Sequence, residues 1–273
     1  TTLISGMYAT SLGGEWHRQR RRLPRDIYFP DYLRDNGYYC INKGKEDYNA
    51  NNYKTSDIWD PGSHYNDAPS DHPWFVVMNY YNTHMSRVTN YPLDERENRT
   101  VGTQDVRVPG YLPDNDTIRD DLAWHYEFVK KLDDWFGNVM EDLENKGLEV
   151  NTIVFFFSDH GGSLPGSKAY LRQAGTKVPM LAWFPPKWEH LAPKEQPAVY
   201  EKPVGFVDMG PTALSLAGVE PPERMQGKPF CGEYEQEPKD FAFLYKANQA
   251  LNYIPARGIT DGDFKLIWNY NTA

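Results

Sequence analysis

Polar residues that could bind an anion or a metal ion follow the ends of several apolar stretches of this chain. Asp159 and His160 come directly after the apolar run 153–157 and precede two glycines. A carboxylate beside an imidazole suits a divalent metal ion, because hard cations prefer carboxylate oxygens and imidazole binds a broader range of metals. The other polar residues at such positions are His84, Lys45 with Asp47, and Lys168 in a glycine-rich segment.

The elements that must position these residues alternate between helix and strand. A helical segment ends at Gly37 and leads into a predicted strand at 38–41, and further strands are predicted at 75–78, 152–157 and 178–184. Because helix and strand alternate, we predict an α/β fold with a mainly parallel central sheet flanked by helices. Ligands of such sheets bind beyond the carboxyl ends of the strands, so the polar residues are expected to converge on one edge.

The longest predicted helix lies just before the strand at 152–157. Its apolar residues recur at steps of mostly three and four, and Gly147 ends it. The strand itself is apolar on both faces, as is typical of a central parallel strand. Segments 43–70 and 87–116 are predicted loops. The apolar face of the helix consists of Ile118, Leu122, Tyr126, Val129, Leu132, Phe136, Val139, Met140 and Leu143.

The composition limits the kinds of partner that the protein can have. A net charge of −9 over 273 residues argues against nucleic acid or an anionic membrane as the main partner, while it leaves room for a local basic pocket. The apolar runs are shorter than the ~18 residues of a membrane-spanning helix. Cys40 and Cys231 could form one disulfide or remain buried thiols, and the sequence leaves both open.

Each candidate residue also has an ordinary structural explanation. An Asp-His pair alone is more often a turn-capping carboxylate beside a surface histidine, and a single loop lysine is usually solvated. The four strand ends taken together favour a site, because clustered carboxylate, imidazole and ammonium groups suit an anionic substrate held with a cation.

The order of these stretches resembles the sulfatase family, within the alkaline-phosphatase-like superfamily. The most specific stretch is NTIVFFFSDHG, whose histidine is followed eight residues later by Lys168. Independent support comes from VDMGPTALSLAG followed by MQGKPF. The other matching stretches are TTLISGMYATSLG, DYLRDNGYYCINKGKEDYN, WFVVMNYYNTHMSR and GTKVPMLAWFP. The resemblance implies an alkaline-phosphatase-like fold and hydrolysis of sulfate monoesters, with a sulfated carbohydrate as the expected substrate.

The resemblance also implies roles for particular residues. Asp159 and His160 correspond to half of a calcium site. Lys45 and Lys168 correspond to lysines that contact the sulfate, and His84 to a histidine that protonates the leaving group. Together these three are the expected catalytic and substrate-binding residues.

Two further residues are expected to contact the substrate, although the resemblance to the family supports them less than it supports Lys45, His84 and Lys168. Asp47 stands where the family often has the histidine of GKWHLG, which leaves its role open. His17 lies in the basic stretch GGEWHRQRRR, for which a basic surface loop is the alternative explanation.

The family nucleophile is a formylglycine made from the Cys of a C-x-P-S-R-like signature, which a stretch like TTLISGMY follows directly. We therefore expect an N-terminally truncated sulfatase, with the nucleophile and two Asp metal ligands upstream and no turnover by this chain alone. The expected domains are an incomplete catalytic domain at 1–230 and the start of a small C-terminal subdomain at 231–273. The family implies export to the periplasm or the extracellular space, or to the lysosome in an animal.

Two alternatives stay open. One is a phosphodiesterase or phosphonate monoester hydrolase of the same superfamily, although the combination of Asp159 and His160 with Lys168 favours one metal ion and a sulfate. The other is a non-catalytic protein that binds sulfated glycans through the same lysine and histidine residues. Comparing activity on an aryl sulfate with activity on an aryl phosphate distinguishes the first alternative from a sulfatase. The residue at the nucleophile position of the upstream signature distinguishes the second alternative from a catalytic protein.

Overall fold

The computed structural model describes residues 1–91, 96, 98–162, 164–193, 199–249 and 252–270. Its helices and strands follow in chain order, and single-turn 3-10 segments connect some of them. They are α1 (Thr2–Ser5), α2 (Ala9–Leu12), α3 (Phe29–Asp35), β1 (Tyr39–Lys43), α4 (Thr55–Ile58), β2 (Trp74–Met78), α5 (Ser86–Thr89), α6 (Asp116–Asn145), β3 (Val154–Phe157), α7 (Gln173–Thr176), β4 (Met180–Trp183), α8 (Met209–Leu216), β5 (Ala242–Gln249), β6 (Asn252–Thr260) and β7 (Lys265–Asn269).

The chain divides into two compact units. The first combines Thr1–Asn79 with Trp188–Ala273, and the second is Tyr80–Lys187. The subdomain boundary predicted at residue 230 stays a prediction, although β5, β6 and β7 all lie after it and form an antiparallel sheet of their own. None of the helices in the described part of the chain is long and apolar enough to cross a membrane.

The first unit contains the parallel pair of strands that the sequence predicts. β1 and β2 are in register from Tyr39 opposite Trp74 to Lys43 opposite Met78. Helix α3 begins with a proline in its first turn and is followed by Gly37 at φ +86°, a left-handed conformation that glycine adopts at little cost. The helix buries Phe29 and Leu33 in the core of this unit. The predicted helix, glycine stop and strand are therefore confirmed.

A buried carboxylate explains why VDMGPTALSLAG and MQGKPF occur together. Asp208, only 1% exposed, accepts hydrogen bonds from the N–H groups of Gly205 (2.8 Å) and Lys228 (2.9 Å) and pairs with Lys239. A Cβ atom at Gly227 would lie 1.9 Å from the Val207 carbonyl oxygen, so only glycine fits there. The two motifs therefore form one hydrogen-bonded unit, in which Asp208 at the start of α8 is bonded to the segment that contains Lys228.

The second unit is built around α6. The Asn115 side chain caps the helix by accepting a hydrogen bond from the Ile118 N–H at 3.0 Å, and Gly147 follows its end at φ +64°. The apolar face is buried at Leu122 and Leu143. It differs from the prediction at Tyr126 and Val129, which are 39% and 41% exposed, whereas Ala123, Trp124, Glu127 and Phe128 are buried.

The direction of β3 corrects the sequence prediction. β3 is not a parallel strand here, because it pairs antiparallel with β4, from Val154 opposite Trp183 to Phe157 opposite Met180. In the described residues of the connecting segment, 158–162 and 164–179, the helix is the single-turn α7, whereas a parallel crossover usually needs a full helix. β3 is also only half-buried and β4 is mostly exposed, with Leu181 62% exposed.

The segments predicted as loops contain short helices. Helix α4 and a 3-10 turn at Tyr65–Asp67 lie within 43–70, and α5 overlaps the start of 87–116. Both cysteines are free and buried, so they are thiols rather than a disulfide. Burial raises the pKa of both thiols well above the ordinary value, which makes them poor nucleophiles.

Candidate active site

His84 and Lys168 lie together in the second unit although 84 positions separate them in the sequence. The Lys168 Nζ atom is 3.2 Å from the His84 Nε2 atom, and both side chains are half-buried. The other ring nitrogen, Nδ1, lies 2.9 Å from the Ser86 Oγ atom and accepts a hydrogen bond from the Ser86 backbone N–H at 3.3 Å. Two of the three residues predicted to be catalytic are thus in direct contact.

The two ring nitrogens of His84 both face hydrogen-bond donors. A lysine ammonium group can only donate hydrogen bonds, so the contact with Lys168 requires a lone pair on Nε2. The backbone N–H of Ser86 requires a lone pair on Nδ1. A neutral ring carries this lone pair on one nitrogen only, so Lys168 and the Ser86 N–H compete for it.

Helix α6 holds the short helix α5 next to His84. The Trp124 indole N–H donates to the Arg87 carbonyl at 2.7 Å, and the buried Arg96 guanidinium donates to the Val88 carbonyl at 2.7 Å. Arg96 also pairs with Asp120 and Asp121 on α6. A one-turn helix is unstable alone, so these bonds to two of its carbonyl groups fix the segment that carries Ser86.

A close approach of backbones fixes the loop that carries Lys168. The buried Ser167 hydroxyl donates to the Ala174 carbonyl at 2.7 Å. A Cβ atom on Gly161 would lie 1.7 Å from that same carbonyl oxygen, and one on Gly175 would lie 2.2 Å from the Ser167 carbonyl oxygen. The glycine after His160 is therefore required by packing between this loop and the segment at the end of β3.

Asp159 and His160 present two ligand atoms close to each other. The Asp159 Oδ2 atom is 3.4 Å from the His160 Nε2 atom, and the carboxylate side chain is 64% exposed. His160 Nδ1 lies 3.2 Å from the Gly161 carbonyl oxygen, which only a protonated Nδ1 can approach favourably. In the neutral ring Nε2 then carries a lone pair that faces the carboxylate.

Two lone-pair donors this close favour a cation between them. Adjacent ligands of a cation with bond lengths of about 2.4 Å lie about 3.4 Å apart when they subtend a right angle at the ion. The pair thus fits part of a divalent-cation site. Calcium takes six to eight ligands, and the described residues contain no group of three or more His, Cys, Asp and Glu side chains placed to hold a metal ion.

Lys45, Asp47 and His17 belong to the first unit, and their side chains are exposed. The Asn42 side chain donates to the Lys45 carbonyl at 3.2 Å and to the Tyr48 hydroxyl at 3.2 Å. Buried Tyr48 anchors the loop, because it also accepts from the Trp59 indole N–H at 3.0 Å. The roles of these three residues in a common site with His84 stay predictions.

His125 is a candidate residue that the sequence did not single out. It lies on α6, and a Cβ atom on Gly162 would be 3.2 Å from its Nε2 atom, so its ring faces the loop that follows Asp159 and His160. Burial lowers the pKa of His125, which keeps the ring neutral. Its position three residues after Leu122, near the predicted apolar face, was the available signal.

An open cleft of about 390 Å³ lies beside α5 in the second unit. Its lining includes the polar side chains of Asn90, Tyr91, Thr117 and Asp121. Hydroxyl, amide and carboxylate groups around a partly aromatic surface suit a polar ligand such as a sugar.

The family assignment follows from comparison with known proteins. The Sulfatase family model matches residues 8–219. An ulvan-active sulfatase of Formosa agariphila is 31% identical over 316 residues, which cover 98% of this chain and 52% of that protein. The chain thus spans about half the length of this relative.

Solved structures share the fold. A protein solved with its substrate D-glucosamine-2-N,6-O-disulfate has a TM-score of 0.65 and 16% identity, over 100% of this chain and 78% of that one. A phosphonate monoester hydrolase from Silicibacter pomeroyi has a TM-score of 0.69 and 16% identity, over 98% and 76%. The predicted α/β, alkaline-phosphatase-like fold is confirmed. This chain belongs to the sulfatase family.

Proposed function

We propose that the protein carrying this chain hydrolyses sulfate monoesters, with a sulfated carbohydrate as the substrate. The observation that carries the proposal is the contact between His84 and Lys168 in a chain of the sulfatase family. The carbohydrate part is supported by the ulvan-active relative and by the structural neighbour that was solved with a sulfated glucosamine.

Lys168 supplies positive charge to the sulfate group. Negative charge gathers on the sulfate oxygens during attack on sulfur, and an ammonium group placed beforehand stabilises that charge without reorganisation. Lys45 adds a second positive charge in the proposal. Its loop is held by Asn42 and Tyr48, which keeps the backbone near Lys45 in place while the side chain reaches outward.

His84 donates a proton to the leaving oxygen. A bound sulfate ester adds negative charge beside the ring and therefore favours the imidazolium form. Protonation of a leaving group by a positioned acid typically contributes a factor of ~10²–10⁴ in rate.

Asp159 and His160 would hold a calcium ion together with ligands from outside the described residues. When bound, the cation would stabilise negative charge on the sulfate oxygens. The nucleophile in this proposal is a formylglycine carried by a segment that precedes residue 1. We further propose an exported protein, and Asp47 and His17 as substrate contacts.

The test compares leaving groups. For the protein carrying this chain, we expect turnover of 4-nitrophenyl sulfate and of sulfated sugars, with much slower turnover of 4-nitrophenyl phosphate and phenylphosphonate. His84→Gln should lower kcat by about 10²-fold or more for sugar esters, whose leaving groups are poor, and much less for 4-nitrophenyl sulfate. Lys168→Met should lower kcat for both kinds of ester. Equal losses for both esters in His84→Gln would exclude His84 as the acid.

The strongest alternative is a phosphonate monoester hydrolase, because one such enzyme shares the fold at a TM-score of 0.69. Its signature would be a higher kcat/KM for phenylphosphonate esters than for the matching sulfates. A non-catalytic sulfated-glycan binder would bind the sugars and turn over neither kind of ester.

A further inference from the structure

A loop rich in arginine projects from the first unit. The arginine loop, residues 15–22, carries exposed Arg18, Arg20, Arg21 and Arg22 in a chain whose net charge is −9. Among the residues that the structure describes, none of these four guanidinium groups forms an ion pair, whereas nearby Arg25 pairs with Asp57 at 3.1 Å. Four unneutralised guanidinium groups within five positions form a local positive surface.

The two ends of the arginine loop are pinned by asparagine side chains. Asn49 Nδ2 donates to the Gly14 carbonyl at 3.0 Å, before the loop begins. Asn52 bonds both backbone groups of buried Leu23, after the loop ends, at 3.1 and 2.8 Å. The backbone of the loop is thereby fixed at both ends, so less conformational entropy is lost when several of its arginines bind one ligand.

Two backbone hydrogen bonds connect Arg21, near the end of the arginine loop, to the segment after β1. The Arg21 N–H donates to the Asn49 carbonyl at 2.8 Å, and the Asn51 N–H donates to the Arg21 carbonyl at 3.0 Å. The Arg21 guanidinium also lies 5.7 Å from the centre of the Trp16 ring. Asn49 comes four residues after Lys45, so the arginine loop adjoins the loop that holds this proposed sulfate contact.

We propose that the arginine loop binds the sulfated chain of a polysaccharide beyond the sulfate that is hydrolysed. This inference rests on the proposed function, because it places the reacting sulfate near Lys45. Guanidinium groups bind the oxygens of oxyanions through paired hydrogen bonds, and a polymer with repeated sulfates engages several of them at once. The overall negative charge disfavours nucleic acid, which also carries no sulfate ester for the adjacent site.

The test measures binding to labelled dextran sulfate by fluorescence anisotropy between 50 and 300 mM NaCl. The variant Arg20→Gln/Arg21→Gln/Arg22→Gln removes three charges from the loop. The matched control Arg107→Gln/Lys202→Gln/Lys228→Gln removes three exposed charges elsewhere. We expect at least a tenfold weaker Kd at 50 mM NaCl and a shallower salt dependence for the loop variant, and less than a twofold change for the control.

Equal weakening in both triple variants would overturn the proposal, because binding would then depend only on net charge. Binding of double-stranded DNA or of carboxymethyl-dextran as tight as that of dextran sulfate would overturn it as well. If the triple variant loses its native circular dichroism spectrum, the double variant Arg20→Gln/Arg22→Gln is measured in its place, because it keeps the contact between Arg21 and Trp16. Hydrolysis of small sulfate esters by the unmodified protein is measured separately, so the proposed function and this inference fail independently.

Discussion

At the scale of single residues, Lys168 and the Ser86 N–H compete for the lone pair of the neutral His84 ring. We predict that Lys168→Met increases the Nε2-protonated population of His84 in ¹⁵N spectra of the histidine-labelled protein, because the ammonium group that needs a lone pair on Nε2 is lost. Lys168→Arg keeps a cationic donor and should change the spectrum less.

Lys177→Met is the matched control for Lys168→Met. It removes an exposed ammonium group from the same unit and should leave the His84 signals unchanged. An unchanged His84 spectrum in Lys168→Met would contradict the competition for the lone pair, and this measurement needs no turnover.

Asp31 gives a prediction about pH and stability. Burial, partly offset by Arg34 and Arg25, raises the pKa of this carboxyl group from 3.8 to about 6. A pKa raised in the folded state means that the fold holds a proton that the unfolded chain releases above its own pKa, so stability falls as the pH rises from about 4 to 6.

We therefore expect Asp31→Asn to raise the free energy of unfolding by about 1 kcal/mol above pH 6 and to change it little below pH 4. The side chain is 31% exposed, so this value is well below the ~3 kcal/mol that two pKa units would give. Urea unfolding at pH 3.5 and 7.5 provides the measurement. Exposed Asp133 on α6 is the control site, because it is not among the charges that shift the pKa of Asp31. A gain in stability of Asp31→Asn at both pH values would contradict the assignment.

At the scale of elements, helix α6 determines where α5 lies. Trp124 is 8% exposed, and its N–H bond to the Arg87 carbonyl is 2.7 Å long. Trp124→Phe removes this bond and leaves a small cavity, for which we expect a loss of about 2 kcal/mol. Amide hydrogens of 88–90 should exchange faster while those of 130–140 keep their protection.

Trp135→Phe is the control for Trp124→Phe. Trp135 lies on the same helix and packs on the Tyr80 ring at 5.4 Å between centroids. It should leave the exchange of α5 unchanged. Equal acceleration in both variants would mean that α6 acts on α5 through general stability and not through the bond to Arg87.

The comparison of β1 with β3 explains how far sequence reasoning reaches. The glycine stop before β1 and the periodicity of α6 are local signals, and each predicted the right element, although the buried face of α6 includes Trp124 and Phe128 in place of Tyr126 and Val129. The apolar run of β3 indicates a strand but carries no information on direction, which depends on pairing with β4 across the segment 158–179. The contact between His84 and Lys168 likewise depends on tertiary packing. The strand pattern predicted that polar strand-end residues converge on one edge of the sheet, and the resemblance to sulfatases assigned these two residues to one site.

At the scale of the whole molecule, a bound cation should couple to folding. A ligand that binds only the native state raises its stability by an amount that grows with concentration, about 2.7 kcal/mol at one hundred times Kd. If Asp159 and His160 contribute to a calcium site, added Ca²⁺ should raise the Tm of the protein carrying this chain, and chelation with EGTA should reverse the effect.

Variants separate specific from general effects of the ion. Asp159→Asn should remove most of the rise in Tm, because it replaces the carboxylate whose oxygen lies 3.4 Å from His160 Nε2. Asp105→Asn changes an acidic side chain in a loop of the same unit and should keep the rise. An equal rise in Tm for both variants would mean that the calcium ion binds away from Asp159.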